Sequence, residues 1–238
     1  MKAADPQAMF RFLLVGQPNC GKSTLFNQVA GYRSISTNFA GVTVDFTSSR
    51  LRMGETMVEL VDLPGLYSLT ALDAATEATK QYLFAENIDV IINVIDASIL
   101  SRSLELTLQL AELGTPMMVC LNMMDEAERK GILISPQRLS EQLGVPVVTT
   151  VAAKGQGIDE LFKTAIRHAT AAPVTLAPTF SRHVEEAIYG TINALTENNR
   201  TPIHHVRLSA IKVLERDPHF LTRVQSRHAV IQIGRAHV

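Results

Sequence analysis

The chain has 238 residues with 22 Lys and Arg against 23 Asp and Glu, a formal net charge of −1, which is length enough for one full domain and a smaller appendage and no basic footprint for nucleic acid, so none is expected as a partner. Its two cysteines, Cys20 and Cys120, lack the spacing of a disulfide framework or a zinc site, which fits a reducing, cytosolic setting. The longest apolar runs, such as "DVIINVIDASIL", are broken by Asp or Asn short of the roughly 20 residues that cross a bilayer, and the first residues lack an export signal's basic and apolar regions.

After a tail over 1–9, short β-branched runs alternate with helical periodicity through residues 10–171. "FRFLLVG" predicts a strand and Lys22 to Gly31 a helix; "VTVDFTSSRLRM" and "TMVELVD" predict two strands joined by a hairpin at Gly54 and Glu55. A helix over Ala71 to Glu86, the strand "DVIINVID" and a helix over Ser101 to Leu113 come next. "PMMVCLNM", a helix capped by Ser135 with Pro136 in its first turn, "VPVVTT" and a helix over Gly157 to Ala171 complete the alternation. The expected architecture is α/β: a mostly parallel six-stranded sheet, one antiparallel edge and helices on both faces. Residues 172–179, with two prolines counting Pro173 and Pro178, read as a linker, and 180–232 as a small all-helical domain with a third, partial helix from Phe220 to Val230. The last six residues, "IGRAHV" at 233–238, match one reading frame of a common sequencing adapter and are expected to be non-native, so the natural chain should continue past about Gln232.

Three motifs carry chemistry. "GQPNCGKS" fits the Walker A pattern from Gly16 to Ser23, with a predicted strand before it and a helix after it. Backbone N–H groups over Gly16, Gln17, Pro18, Asn19, Cys20, Gly21 and the helix start at Thr24 would cradle phosphate oxygens, with Pro18 contributing shape rather than a donor. Lys22 adds a point charge and Ser23 a hydroxyl for Mg²⁺. "LVDLPG" ends a strand at Asp62, a carboxylate placed for Mg²⁺, while Gly65 can offer its N–H to a terminal phosphate. "CLNMMDEAE" places Asn122 and Asp125 three positions apart just past an apolar strand. A carboxylate there can accept from both N1–H and the exocyclic amine of guanine, donors that adenine lacks, so GTP is expected over ATP. "TVAAKGQG" would supply the last base-facing loop, Val151, Ala152 and Ala153. Thr43 in "NFAGVTVD" is expected as the second hydroxyl on Mg²⁺, with Thr37 the competing candidate.

Through "GQPNCGKSTLFN", "FAGVTVD", "DLPGLYSL" and "NMMD", in that order, the sequence resembles the FeoB family of bacterial ferrous-iron transporters. The resemblance implies a P-loop GTPase domain and a helical domain on the cytoplasmic face of the inner membrane, preceding a multi-span permease, with possible self-association. It also implies potassium activation, with Asn19 helping to hold the monovalent cation beside the phosphates. Carried over to this chain, Lys22, Ser23, Thr43 and Asp62 handle phosphate and Mg²⁺, and Asn122 and Asp125 handle guanine. Several positions depart from common patterns. Leu66 stands where many regulatory GTPases carry the water-orienting glutamine, Phe39 and Ala40 where the family often has Trp-Pro, Val151 to Ala153 where a serine-containing loop is common, and Met123 where most GTPases carry lysine.

Two other readings compete. A ribosome- or tRNA-associated potassium-dependent GTPase would share the phosphate loop but needs a basic module, and a non-hydrolysing guanine-nucleotide sensor would explain Leu66. Five histidines of the helical segment, His183, His204, His205, His219 and His228, are read as solvated or core residues rather than metal ligands, with His204 and His205 on different sides of a helix. Cys20 is read as a small loop residue, not a nucleophile.

Overall fold

The structure, a computed structural model, describes residues 9–31, 35–38, 45–70, 74–85, 87–170, 179–197, 205–217 and 220–221. The chain divides into two compact units between Pro178 and Thr179.

The first unit is built on strands β1 (Met9–Gly16), β2 (Ile35–Asn38), β3 (Asp45–Met53), β4 (Thr56–Asp62), β5 (Val90–Asp96), β6 (Met117–Asn122) and β7 (Val147–Thr149) in one sheet of order β2-β3-β4-β1-β5-β6-β7. Strands β4, β1, β5, β6 and β7 pair in parallel, and β3 folds back antiparallel on β4 through the hairpin at Gly54, where φ is 62°. The mostly parallel sheet with an antiparallel edge is as expected, and a seventh strand extends it, since β2 pairs antiparallel with the outer side of β3. Four residues at an edge leave too little periodicity to read in a sequence. Asp62 therefore ends the fourth strand and Asn122 the sixth.

Helices α1 (Lys22–Ala30), α2 (Ala74–Ala85), α3 (Leu100–Ala111), α4 (Met124–Arg129), α5 (Pro136–Leu143) and α6 (Ile158–Thr170) complete this unit. The short α4 was not anticipated; its start overlaps the Asn122–Asp125 motif. Ser135 caps α5 as expected, its hydroxyl accepting from Arg138 N–H at 3.3 Å, and Gly144 ends the helix at φ 65°. In the parallel strands alternate residues face opposite layers. Phe12 and Leu14 of β1, with Ile92 and Val94 of β5, join Leu25 and Phe26 of α1 and Leu161 and Phe162 of α6 in one core. Asn93 falls between Ile92 and Val94, so it faces the other layer, where α3 covers β5 and β6. Leu13, Leu14 and Val15 are fully buried, each worth about 1.5–3 kcal/mol; this anchors the strand that delivers the Walker loop. Arg11 and Glu59, opposite each other on β1 and β4, pair at 2.7 Å at the sheet's far end.

The described part of the second unit holds α7 (Arg182–Glu197) and α8 (Val206–Leu214), packed through Ile188, Leu195 and Ala210. Arg207 grips Glu185 with two bonds of 2.9 Å. Phe220 and Leu221 are helical, and the rest of the expected third helix lies outside the described residues. His205 is not inside a helix as expected: it precedes α8 at φ 57°, a left-handed cap.

Candidate nucleotide site

The loop between β1 and α1 is shaped by residues that only a small side chain permits. A Cβ on Gly16 would lie 2.3 Å from the carbonyl oxygen of Val94, and one on Gly21 would lie 2.2 Å from Asn122 Nδ2 with φ at 86°. Asn19 sits at φ 65°, a conformation asparagine tolerates better than most residues. It is exposed beside Pro18, whereas Gln17 is buried, its Nε2 donating to Arg102 O at 2.7 Å. The first turn of α1 carries no acidic residue of its own.

Lys22, the first residue of α1, is buried, and its ammonium pairs with Asp62 Oδ1 at the end of β4. Ser23 Oγ donates to Asp62 Oδ2 at 3.0 Å. The sequence-predicted lysine, hydroxyl and carboxylate thus converge on one point, although Lys22 and Asp62 lie 40 residues apart. Beyond Asp62 the chain turns across the loop. A Cβ on Gly65 would meet Pro18 N at 3.0 Å, and Leu66 N–H donates to Gly16 O at 3.1 Å. Leu66 itself is 2% exposed, so its side chain is core. Thr24 is exposed on α1. Thr43, Phe39 and Ala40 lie outside the described residues, and Thr37 is described only as backbone of β2.

Asn122 closes β6 and is buried. Its Nδ2 donates to Cys20 O at 2.9 Å, while its Oδ1 accepts from Thr150 Oγ1 and Ala152 N–H, both at 2.9 Å. This one amide ties the phosphate loop to the loop after β7, and its oxygen is fully engaged within the protein. Met123 adopts φ 60°. Asp125 follows as the second residue of α4, with Oδ1 accepting from Glu126 N–H at 3.0 Å and Oδ2 paired with Lys154 at 2.8 Å. That pair holds the Asp125 carboxyl below its ordinary range. Lys154 was missed in the sequence, where it reads as one more polar loop residue. Val151 exchanges backbone hydrogen bonds with Gln156, which leaves Ala152 buried and Ala153 exposed at the turn. A cavity of about 610 Å³ borders this end of the site, lined by Asp125, Glu128, Ile132, Thr150, Lys154 and Gln156 among others, and by no Walker-loop residue.

Burial pushes the Cys20 thiol up to about 11 and Cys120 to about 12. Both stay protonated at neutral pH, and Cys20 contributes its backbone carbonyl, as expected for an inert thiol.

Comparison with known proteins agrees with this arrangement. The family model described as ferrous iron transport protein B matches residues 10–165. A transport protein A/FeoB fusion protein of Porphyromonas gingivalis is 39% identical over 220 residues, covering 88% of this chain and 25% of that protein. The Fe(2+) transporter FeoB of Salmonella typhimurium is 46% identical over 159 residues, covering 65% of this chain and 21% of that protein. The chain thus spans about a quarter of the length of such relatives or less. Among solved structures, an NFeoB point mutant of S. thermophilus bound to GDP superposes with a TM-score of 0.85 at 35% identity, over 91% of this chain and 83% of that one. The cytosolic domain of the T. maritima FeoB iron transporter in a GDP form gives 0.87 at 28%, over 97% and 89%. With its Walker loop, the aspartate of its D-x-x-G turn and its Asn-x-x-Asp pair set on a P-loop GTPase fold, the chain belongs to the ferrous iron transport protein B family.

Proposed function

We propose that the chain binds GTP and hydrolyses it to GDP and phosphate, as the cytosolic nucleotide-binding part of a ferrous-iron membrane transporter. The observation that carries this reading is the convergence of Lys22 and Ser23 on Asp62 beneath the Walker loop, with Asn122 locking that loop to the base-recognition segment. Phosphates would settle over the loop N–H groups and the start of α1, and Lys22 would exchange its carboxylate partner for phosphate oxygen.

A hydroxyl and a carboxylate meeting at 3.0 Å form an all-oxygen donor set, which suits Mg²⁺. Ser23 and Asp62 would hold that ion, joined by Thr43, and it would neutralise charge on the phosphate oxygens. Asn19, exposed at the rim of the loop, would offer its amide oxygen to potassium, whose charge would take the place of an arginine finger. Water attacks the terminal phosphorus, the bond to the bridging oxygen breaks, GDP leaves with the electron pair, and the water's proton passes to a phosphate oxygen and on to solvent. Leu66 has no polar group, so the water is positioned by backbone such as Gly65 N–H. At the other end, Asp125 would accept from the guanine edge in exchange for Lys154, and Ala153 N–H would face the guanine oxygen.

Relatives of which the match covers a quarter or less motivate a membrane permease in the whole protein, with ferrous iron as cargo and the cytoplasmic face of the inner membrane as location. Residues 180–232 would serve as a helical regulatory domain joined by 172–179, with homo-oligomerisation open. The test is phosphate release from GTP with Mg²⁺, in potassium and in sodium, for the chain and for Asn19→Ala. Turnover requiring both potassium and Asn19 supports the reading. Tight GTP binding without turnover in either buffer would favour the nucleotide sensor, which the buried Leu66 also suits.

A further inference from the structure

Helix α3 is fastened to the nucleotide site at two heights, through residues of α3 that belong to none of the sequence motifs. Near its start, Gln17 Nε2 donates to Arg102 O at 2.7 Å, while Ser103 Oγ donates to Gln17 Oε1 at 3.4 Å. One turn later Thr107 Oγ1 donates to Asn93 Oδ1 at 2.6 Å, and Asn93 Nδ2 donates to Val15 O at 3.2 Å. These buried bonds register α3 against both flanks of Gly16. A satisfied buried network of this kind specifies one arrangement, because any slip leaves its members unpaired.

The second fastening reaches the loop after the D-x-x-G turn. Gln109 Oε1 accepts from Leu69 N–H at 2.6 Å, and Gln109 Nε2 donates to Ser68 Oγ at 3.0 Å. The Ser68 hydroxyl lies 2.6 Å from Thr70 Oγ1. The segment from Gly65 to Leu69 is therefore held at both ends, by Gly16 O on Leu66 N–H and by Gln109 on Leu69 N–H. Leu66 and Leu69 are buried, and Tyr67 between them is 58% exposed. At a half-buried helix position leucine would pack at least as well as glutamine, with comparable helix propensity and no amide to desolvate. Glutamine is the better residue only if its amide bonds are useful, and both go to a loop 40 residues or more away.

We propose that Gln109 is a positioning residue for GTP hydrolysis. It holds the backbone that follows Gly65 against the Walker loop, supplying through main-chain placement the order that Leu66 cannot supply through its side chain. The inference rests on the GTPase reading above. Backbone donors that act on developing charge work only when held in place beforehand, so a loosened segment lowers kcat while ground-state nucleotide contacts persist.

The test measures steady-state GTP turnover, GDP affinity and thermal midpoint for the chain and two variants. Gln109→Leu keeps the packing and removes both bonds; kcat should fall about tenfold with KM and GDP affinity within about twofold, while the unpaired Leu69 N–H lowers the midpoint by only about 2–4 °C. Gln109→Glu keeps an acceptor for Leu69 N–H and lets Ser68 turn its hydroxyl to donate, so kcat should return to within about threefold of the parent. A leucine variant with the parent's kcat overturns the proposal. So does a loss of kcat and KM together with a midpoint fall beyond that range, or a glutamate variant as slow as leucine. Absence of turnover in the unmodified chain instead sinks the GTPase reading and this role with it, whereas an active parent and an unaffected leucine variant sink this role alone.

Discussion

The two ends of the nucleotide site are built on opposite principles. At the phosphate end, contacts are dry and steric: Gly16 touches Val94 O, Gly65 lies against Pro18, and Lys22 is buried on Asp62. At the base end, Asp125, the residue proposed to read guanine, is held by a wet pair, with side chains 57% exposed for Lys154 and 40% for Asp125. Buried polar groups hold one geometry because leaving it exposes them unpaired in low dielectric, while a solvated pair exchanges partners at little cost. The glycine-packed frame of the phosphate end is thus preformed, with only Lys22 left to trade Asp62 for phosphate oxygen, and the base end is an exchangeable latch. Asn122 is the seam between them, buried like the first and bonded into the second.

Substitutions should separate the two ends, the largest effect first. Gly16→Ala places a Cβ 2.3 Å from a strand carbonyl and should cost about 4 kcal/mol or more, seen as failure to fold or a collapsed denaturation midpoint; a stable variant would mean that β5 yields easily. Asn122→Ala strands Cys20 O and Ala152 N–H and leaves Thr150 Oγ1 with Cys120 Sγ at 3.2 Å, for a loss of about 3 kcal/mol in urea unfolding. Asp125→Asn should leave urea stability nearly untouched yet weaken GDP binding about tenfold or more, measured by titration with a fluorescent GDP analogue. Equal losses of stability for Asn122 and Asp125 variants would erase the distinction between seam and latch.

Lys154→Ala removes the competitor for Asp125. GDP should bind about twofold to threefold tighter at low ionic strength, and that gain should vanish in molar salt. Weaker binding would show instead that Lys154 itself holds the base. The smallest effect lies in the second unit, where Arg207 draws the Glu185 carboxyl down to about 2 from its ordinary 4.5. A depressed carboxylate adds stability above its unfolded value and loses it as pH falls through the folded one. The acid limb between about 4.5 and 2 should therefore flatten in Glu185→Gln, followed by the helical signal of an isolated second unit or of the whole chain.

Much of the fold was open to reading because it is written in local pattern. The parallel strands announce themselves by uninterrupted apolar runs, and the α5 cap by Ser135 and Pro136. The edge strand β2 and the six-residue α4 were not legible, being too short for periodicity to outweigh other signals. The left-handed cap at His205 replaced an expected helical residue for the same reason: helix ends depend on what packs against them.

The chemistry divides along the same line. Residue type and spacing suffice to propose Lys22, Ser23, Asp62, Asn122 and Asp125 as site residues, since a phosphate loop is a turn of fixed length and its partners sit at strand ends. Their neighbours over long separations are another matter. That Lys154 latches Asp125, that Asn122 spends its amide on Cys20 and Ala152, and that Gln109 grips Leu69 are facts about residues 29 to 102 positions apart. Nothing in a local pattern encodes such pairs; they exist because sheet order and helix packing bring separate segments within 3 Å, where a hydrogen bond can form.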